Sequence, residues 1–172
     1  MGKIKDWVYN HKAGKQPERE VVFPHFDDVR SVLVLFESDI QEKNEVIKSI
    51  ADQLRKEDKD VVMWGYCAKK DIDSPTLLQL RILGTRDFNV FEVPKDEIIS
   101  ELQRREFDLL IDLTQHPCRP LRYLALYARA NFKSGLDLER GVHDLLISTE
   151  PQETPQFLFD QIVKYLKMIQ AK

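Results

Sequence analysis

Two short apolar, β-branched runs separated by a helix-period segment constrain this chain more than any other feature. Val29 to Phe36 (VRSVLVLF) reads as a strand buried on both faces, since continuous apolar runs of this length belong to sheets covered on both sides. After the polar turn Glu37-Ser38-Asp39, the segment Gln41 to Glu57 sets Val46, Ile47, Ile50, Ala51 and Leu54 on one helical face. Lys48, Asp52, Arg55 and Lys56 fall on the other. Val61 to Cys67 (VVMWGYC) reads as the second strand. Strand, helix and strand within about 40 residues make a parallel pair joined by a right-handed crossover.

The rest of the chain repeats that rhythm. Asp71 to Arg86, with Pro75, Leu77, Leu78, Leu80, Ile82, Leu83 and Gly84, is expected to be a loop holding a short element. Phe88 to Val93 (FNVFEV) is expected to supply the third strand, and Asp96 to Arg105 a short helix with Ile98, Ile99 and Leu102 inward. Asp108 to Thr114 (DLLIDLT) reads as a buried strand. The turn Gln115-His116-Pro117-Cys118-Arg119 then leads into a helix beginning at Pro120 and running through Leu121 to Ala130, apolar on most sides. Asn131 to Gly135 and Val142 to Ser148 read as strands. Thr154 caps a last helix, with Pro155 in its first turn and Leu158, Ile162, Tyr165, Leu166 and Ile169 as its stripe. Strands alternating with helices predict an α/β fold of three α/β/α layers. The sheet is expected to be mostly parallel, Rossmann-like or flavodoxin-like in order. At 172 residues the chain accommodates one domain, residues 21–172, preceded by an N-terminal helical arm, residues 1–20.

In that arm Ile4, Trp7, Val8 and His11 share one helical face, and Lys3, Lys5, Lys12, Lys15 and Arg19 make the segment basic. Such a helix can lie on an anionic membrane surface. With so few apolar residues, docking of the Trp7 face on the domain body is the favoured expectation.

Composition removes several functions. A net charge of -3 gives no field to attract nucleic acid, so no nucleic-acid partner is expected. No apolar run approaches the roughly 18 residues of a membrane span, and the N-terminus lacks the apolar stretch of a signal peptide. Cys67 and Cys118 are too far apart for a zinc or disulfide pattern, which fits a soluble protein of a reducing cytoplasm. The turn after the first strand has no glycine and there is no Walker-type loop, so no nucleotide cofactor is expected.

In open α/β sheets ligands bind beyond the carboxyl ends of the strands. Asp112, Thr114, His116, Cys118 and Arg119 all fall at or just past one such end. A thiol before a helix N-terminus and beside an arginine should be favoured as thiolate. Cys118 is therefore a candidate nucleophile, with His116 as its base and Asp112 as a third catalytic candidate. No Cys-x5-Arg loop follows, however, and no further group orients His116. Thr114, His116 and Arg119 form the expected anion seat, with Ser38 as an additional contact. Glu37 and Asp39 would repel a phosphate at the first turn. Asp71 and Asp73 lack a third acidic ligand, so no metal is expected. His25, Asp27 and Asp28 precede the first strand and lie at the opposite end of the sheet. His143 and Asp144, adjacent on a strand, should point to opposite faces and receive no role.

FDLLIDLT (Phe107 to Thr114), PLRYLALYARANFKSG (Pro120 to Gly135), HDLLI (His143 to Ile147) and YLKMI near the end, in this order, are similar to a domain-of-unknown-function family of short α/β proteins associated with Bacteroidetes. The likeness covers nearly the whole chain. It implies a bacterial, cytoplasmic protein with no assigned activity and no functional residues to carry over. The stretch from FDLLIDL to ANFKSG also resembles the end of the N-terminal half of heptosyltransferase-type glycosyltransferases. Those enzymes carry a Gly-Asp pair where this chain has Glu37-Ser38-Asp39, and a second nucleotide-sugar domain that has no counterpart here. The reading reached is a non-catalytic binding or interaction module, with a homo-oligomer as one way to cover the apolar Leu121 to Ala130 helix. The alternative is a small anionic-ligand binder, or an enzyme, using the loop 114–119.

Overall fold

Strand β1 (Ser31–Glu37) turns alternate side chains to opposite faces, and the two sets enter two different cores. Val32, Val34 and Phe36 pack with Ile47, Ile50 and Leu54 of α2 (Glu42–Lys56) and with Leu158, Ile162 and Leu166 of α5 (Pro155–Met168). Leu33 and Leu35 pack on the other side with Ile98 and Leu102 of α3 (Asp96–Gln103) and with Leu121, Tyr123 and Leu124 of α4 (Arg119–Tyr127). Tyr9 of α1 (Gly2–Ala13) joins the second core. The sheet is thus covered on both faces, which is what its apolar runs require. This computed structural model describes residues 2–15, 19–38, 42–70, 72, 79–138, 141–150 and 153–168, with only the backbone at 42 and 43. Asp39, Gln41, Asp71, Asp73, Pro75, Leu77, Leu78 and Ile169 lie outside the described residues.

The remaining strands are β2 (Asp60–Tyr66), β3 (Leu80–Leu83), β4 (Glu106–Asp112), β5 (Arg129–Leu136) and β6 (Leu145–Ile147). Among the described residues they form one sheet of order β3-β2-β1-β4-β5-β6, every pairing parallel. That is the doubly wound Rossmann order and not the flavodoxin one. At the amino edge, the Asp108 carboxylate accepts from the amides of Arg30 at 2.8 Å and Ser31 at 2.9 Å. There too the buried Lys59 ammonium donates to the carbonyls of Phe26 and Val29. Thr154 accepts from the Phe157 amide at 3.2 Å and caps α5.

Three expectations are corrected. The third strand is Leu80–Leu83, the short element inside the stretch expected to be mostly loop, while Phe88 to Val93, expected to be that strand, is a turn. There the Asn89 side chain accepts from the amides of Phe91 and Val93, Glu92 sits at φ 64°, and Phe88 bridges antiparallel to Pro94. An alternating apolar pattern cannot register a side chain that closes the backbone on itself. Next, α4 ends at Tyr127, and β5 begins at Arg129. Finally, α1 docks through Tyr9, 3% exposed, while Ile4 and Trp7 stay 54% and 65% exposed. The Tyr9 ring meets Tyr123 edge-on at 5.1 Å and lies under the Arg122 guanidinium at 3.8 Å. Those partners hold the helix by Tyr9 and its neighbours Val8 and Ala13, so that of the face the apolar periodicity selected Val8 packs on the core while Ile4 and Trp7 do not. α1 and α3 also supply the cover that α4 was expected to need from a second copy.

Candidate ligand site

In this sheet the order in which strands are added reverses between β1 and β4, and the crevice there is the usual ligand seat. Here the protein's own groups occupy it. Glu37, at the end of β1, accepts from the Gln115 amide at 3.0 Å, and His116 Nδ1 lies 3.3 Å from both of its oxygens. Ser38 bonds Asn44 through its hydroxyl and donates its amide to the Tyr66 carbonyl. A carboxylate already seated on a backbone amide opposes a second anion by charge. Arg119 turns away, to Asp6 of α1 and to Glu92 at 3.0 Å. His116 and Arg119 therefore each face a carboxylate and do not assemble the expected anion seat.

Cys118 precedes α4 as expected, but its electrostatics are the reverse of the expectation. Burial, reinforced by the carboxylates of Glu37, Asp112 and Glu92, pushes its thiol up to about 12. The protonated thiol is a poor nucleophile at neutral pH. Burial outweighs the helix terminus, and Arg119 is engaged elsewhere.

What the fold does bring together is Asp112, Thr114 and Cys118 with two residues given no role, Arg122 and His143. These five, with Val142, line a cavity of about 30 Å³, enough for one water. His143 Nε2 lies 2.9 Å from Asp112 Oδ2, and the two side chains are only 10% and 6% exposed. The other carboxylate oxygen accepts from the Thr114 amide at 3.0 Å and from the Thr114 hydroxyl. Gly135 on β5 makes room for the ring: a Cβ there would stand 2.8 Å from Nε2. The accepting carboxylate assigns the neutral ring's proton to Nε2, which leaves the lone pair on Nδ1. Nδ1 is buried and has no hydrogen-bond partner among the described residues. A buried acceptor left unmade costs about 1–3 kcal/mol, so such atoms are nearly always partnered by protein, water or a ligand.

His143 also lines an open groove of about 910 Å³, between the end of α4, the start of β5 and the segment before β6. In it Arg19 grips both oxygens of Asp144 at 2.6 Å. Lys133 donates to the carbonyls of Ala125 at 2.6 Å and Leu126 at 3.2 Å, and burial together with Arg19 pushes its ammonium down to about 8. His143 and Asp144 thus serve two different partners, one at the cavity and one in the groove. The sequence signal for the pair was weak: an acid ending an apolar strand, and a histidine before a three-residue strand. Only the placing of β5 next to β4 and β6 joins them. No group of three or more metal-ligating His, Cys, Asp or Glu side chains occurs among the described residues.

Fold and site define a doubly wound α/β domain with a buried Asp-His pair at the carboxyl edge of its sheet. The chain belongs to a family of unknown function (DUF6913), whose pattern matches residues 3–169. No curated protein matches it. Among solved structures it is similar to the E. coli heptosyltransferase WaaC with ADP, at 12% identity and a TM-score of 0.48, over 78% of this chain and 46% of that one. The chain spans about half the length of that protein. Among the described residues, no helix is long and apolar enough to cross a membrane.

Proposed function

We propose that the chain is a small-ligand-binding α/β module in which His143 is the polar anchor. The observation that carries this reading is the buried Nδ1 of a ring held by Asp112 through Nε2, with no hydrogen-bond partner for Nδ1 among the described residues. Three features serve that one ring: the Asp112 carboxylate, the Thr114 donors that orient it, and the missing Cβ of Gly135. A ligand entering from the groove and displacing the cover over Nδ1 with a hydroxyl or N–H would complete the imidazole's hydrogen bonds. The groove, with its charged Arg19, Lys133 and Asp144, suits a polar ligand better than an apolar one. A thermal-shift screen of nucleotides, nucleotide sugars, phosphorylated metabolites and amino acids tests this. A compound at 100 times its dissociation constant adds about 2.7 kcal/mol and moves the midpoint several degrees. Hits should vanish in His143→Ala and weaken in Asp112→Asn, yet persist in Arg119→Ala. Hits indifferent to His143, or a flat screen, would count against the site.

The Asp112–His143 geometry favours a second reading in the same place. An imidazole oriented by a carboxylate is what general-base catalysis requires. Turnover of a bound hit that stops in His143→Ala would move the reading from binding to catalysis.

A further inference from the structure

The outer face of α1 is apolar and basic at once. Ile4 and Trp7 are 54% and 65% exposed, Lys3 is exposed on the same helix, and Lys15 is exposed in the turn that follows it. The acidic residue of the helix, Asp6, is held by Arg119, and Lys5 is paired with Glu92 at 3.4 Å. Those ion pairs and the Tyr9–Tyr123 contact fix the helix to the body, so its free groups are a tryptophan, an isoleucine and lysines. Trp7 stacks on His11 of its own helix, with ring centroids 5.4 Å apart.

We infer that α1 is a docking surface for an anionic lipid bilayer, independent of the His143 site. A convex ridge of one indole and one isoleucine is too small for a protein partner. A standard interface buries about 800 Å² per side, whereas an aromatic side chain supplies about 150–250 Å². A second copy is disfavoured too, because a two-fold axis would set the lysines of one copy against those of the other. An anionic interface suits each group: the indole and isoleucine enter the headgroup boundary, and the lysines meet the phosphates. The helix is already folded and held by its other face, so insertion orders no new segment.

The test is co-sedimentation of the full chain with vesicles of phosphatidylcholine alone or mixed with phosphatidylglycerol. Binding is expected only to the anionic vesicles and is expected to weaken as salt is raised. Ile4→Ser/Trp7→Ser should lower the partition at least about tenfold, and Lys3→Gln/Lys15→Gln about fivefold per lysine. Neither variant touches a buried contact, so the melting temperature should not move; this control separates lost binding from lost fold. Iodide quenching of Trp7 should fall on vesicle binding, with the buried Trp64 as internal reference. No binding by the intact chain would overturn the inference, as would binding that survives the Ile4/Trp7 variant. Equal binding to neutral vesicles would also overturn it. So would self-association without lipid that the Ile4/Trp7 variant abolishes, since a second copy would then cover the face.

Discussion

Gly135 leaves open the space that the His143 ring fills, and this makes the dyad separable by mutation. Gly135→Ala would place a methyl 2.8 Å from Nε2 and expel the ring from Asp112. The expected cost is about 1–3 kcal/mol from a broken buried hydrogen bond. The same substitution in a His143→Ala background should cost much less, because the clash partner is gone; urea unfolding of the four proteins closes the cycle. Equal costs in both backgrounds would place the strain elsewhere. Tyr123 offers the opposite sign. Its hydroxyl is buried without a partner among the described residues, so Tyr123→Phe should raise stability by about 1 kcal/mol. A loss of that size would reveal a partner for the hydroxyl. At Cys118 the folded-state pKa, about 12, is raised above its ordinary 9.0. Its contribution is therefore fully present below pH 9 and is lost as pH climbs toward 12. Tyr66 and Tyr123, also raised to about 12, add a fall that begins nearer pH 10. Cys118→Ala should flatten the early part, between pH 9 and 10, in chemical denaturation run across that range.

At the scale of elements, periodicity was informative wherever burial alone decides structure. β1, α2, β2, β4 and α5 each lie within or close to the runs that suggested them, because a strand covered on both faces and an amphipathic helix leave a mark in composition. The marks fail where a single polar side chain decides. FNVFEV alternates like a strand, yet Asn89 takes the amides of Phe91 and Val93 and folds the segment into a turn. Leu80–Leu83 is short, only half-buried along most of its length, and at the edge of the sheet, so its pattern is faint. Asn89→Ala should therefore cost about 1–2 kcal/mol in chemical denaturation by orphaning two amides. An unchanged midpoint would mean that the Glu92 ion pairs hold the turn without Asn89.

Across the whole molecule, the contacts that build the candidate site and seat α1 join parts of the chain far apart in sequence. Asp112 and His143 meet only because β5 lies between β4 and β6, and Tyr9 finds Tyr123 only because α1 packs on α4. Local patterning holds no trace of either meeting, which is why Asp112 and Thr114 were legible at a strand end and the histidine beside them was not. The same blindness centred the docked face of α1 on Trp7 and not on Tyr9. Deleting residues 2–13 should thus uncover Tyr123 and lower the melting temperature, with association visible by light scattering. An unchanged melt would show that α1 adds nothing to the core.

The most direct measurement is the tautomer of His143, read from long-range proton–nitrogen NMR correlations of its imidazole at a pH where the ring is neutral. The structure predicts a protonated Nε2 on Asp112 and a bare Nδ1 whose resonance moves when a screen hit is added. A proton on Nδ1 would mean that Asp112 does not hold the ring as described, and that no lone pair waits for a ligand.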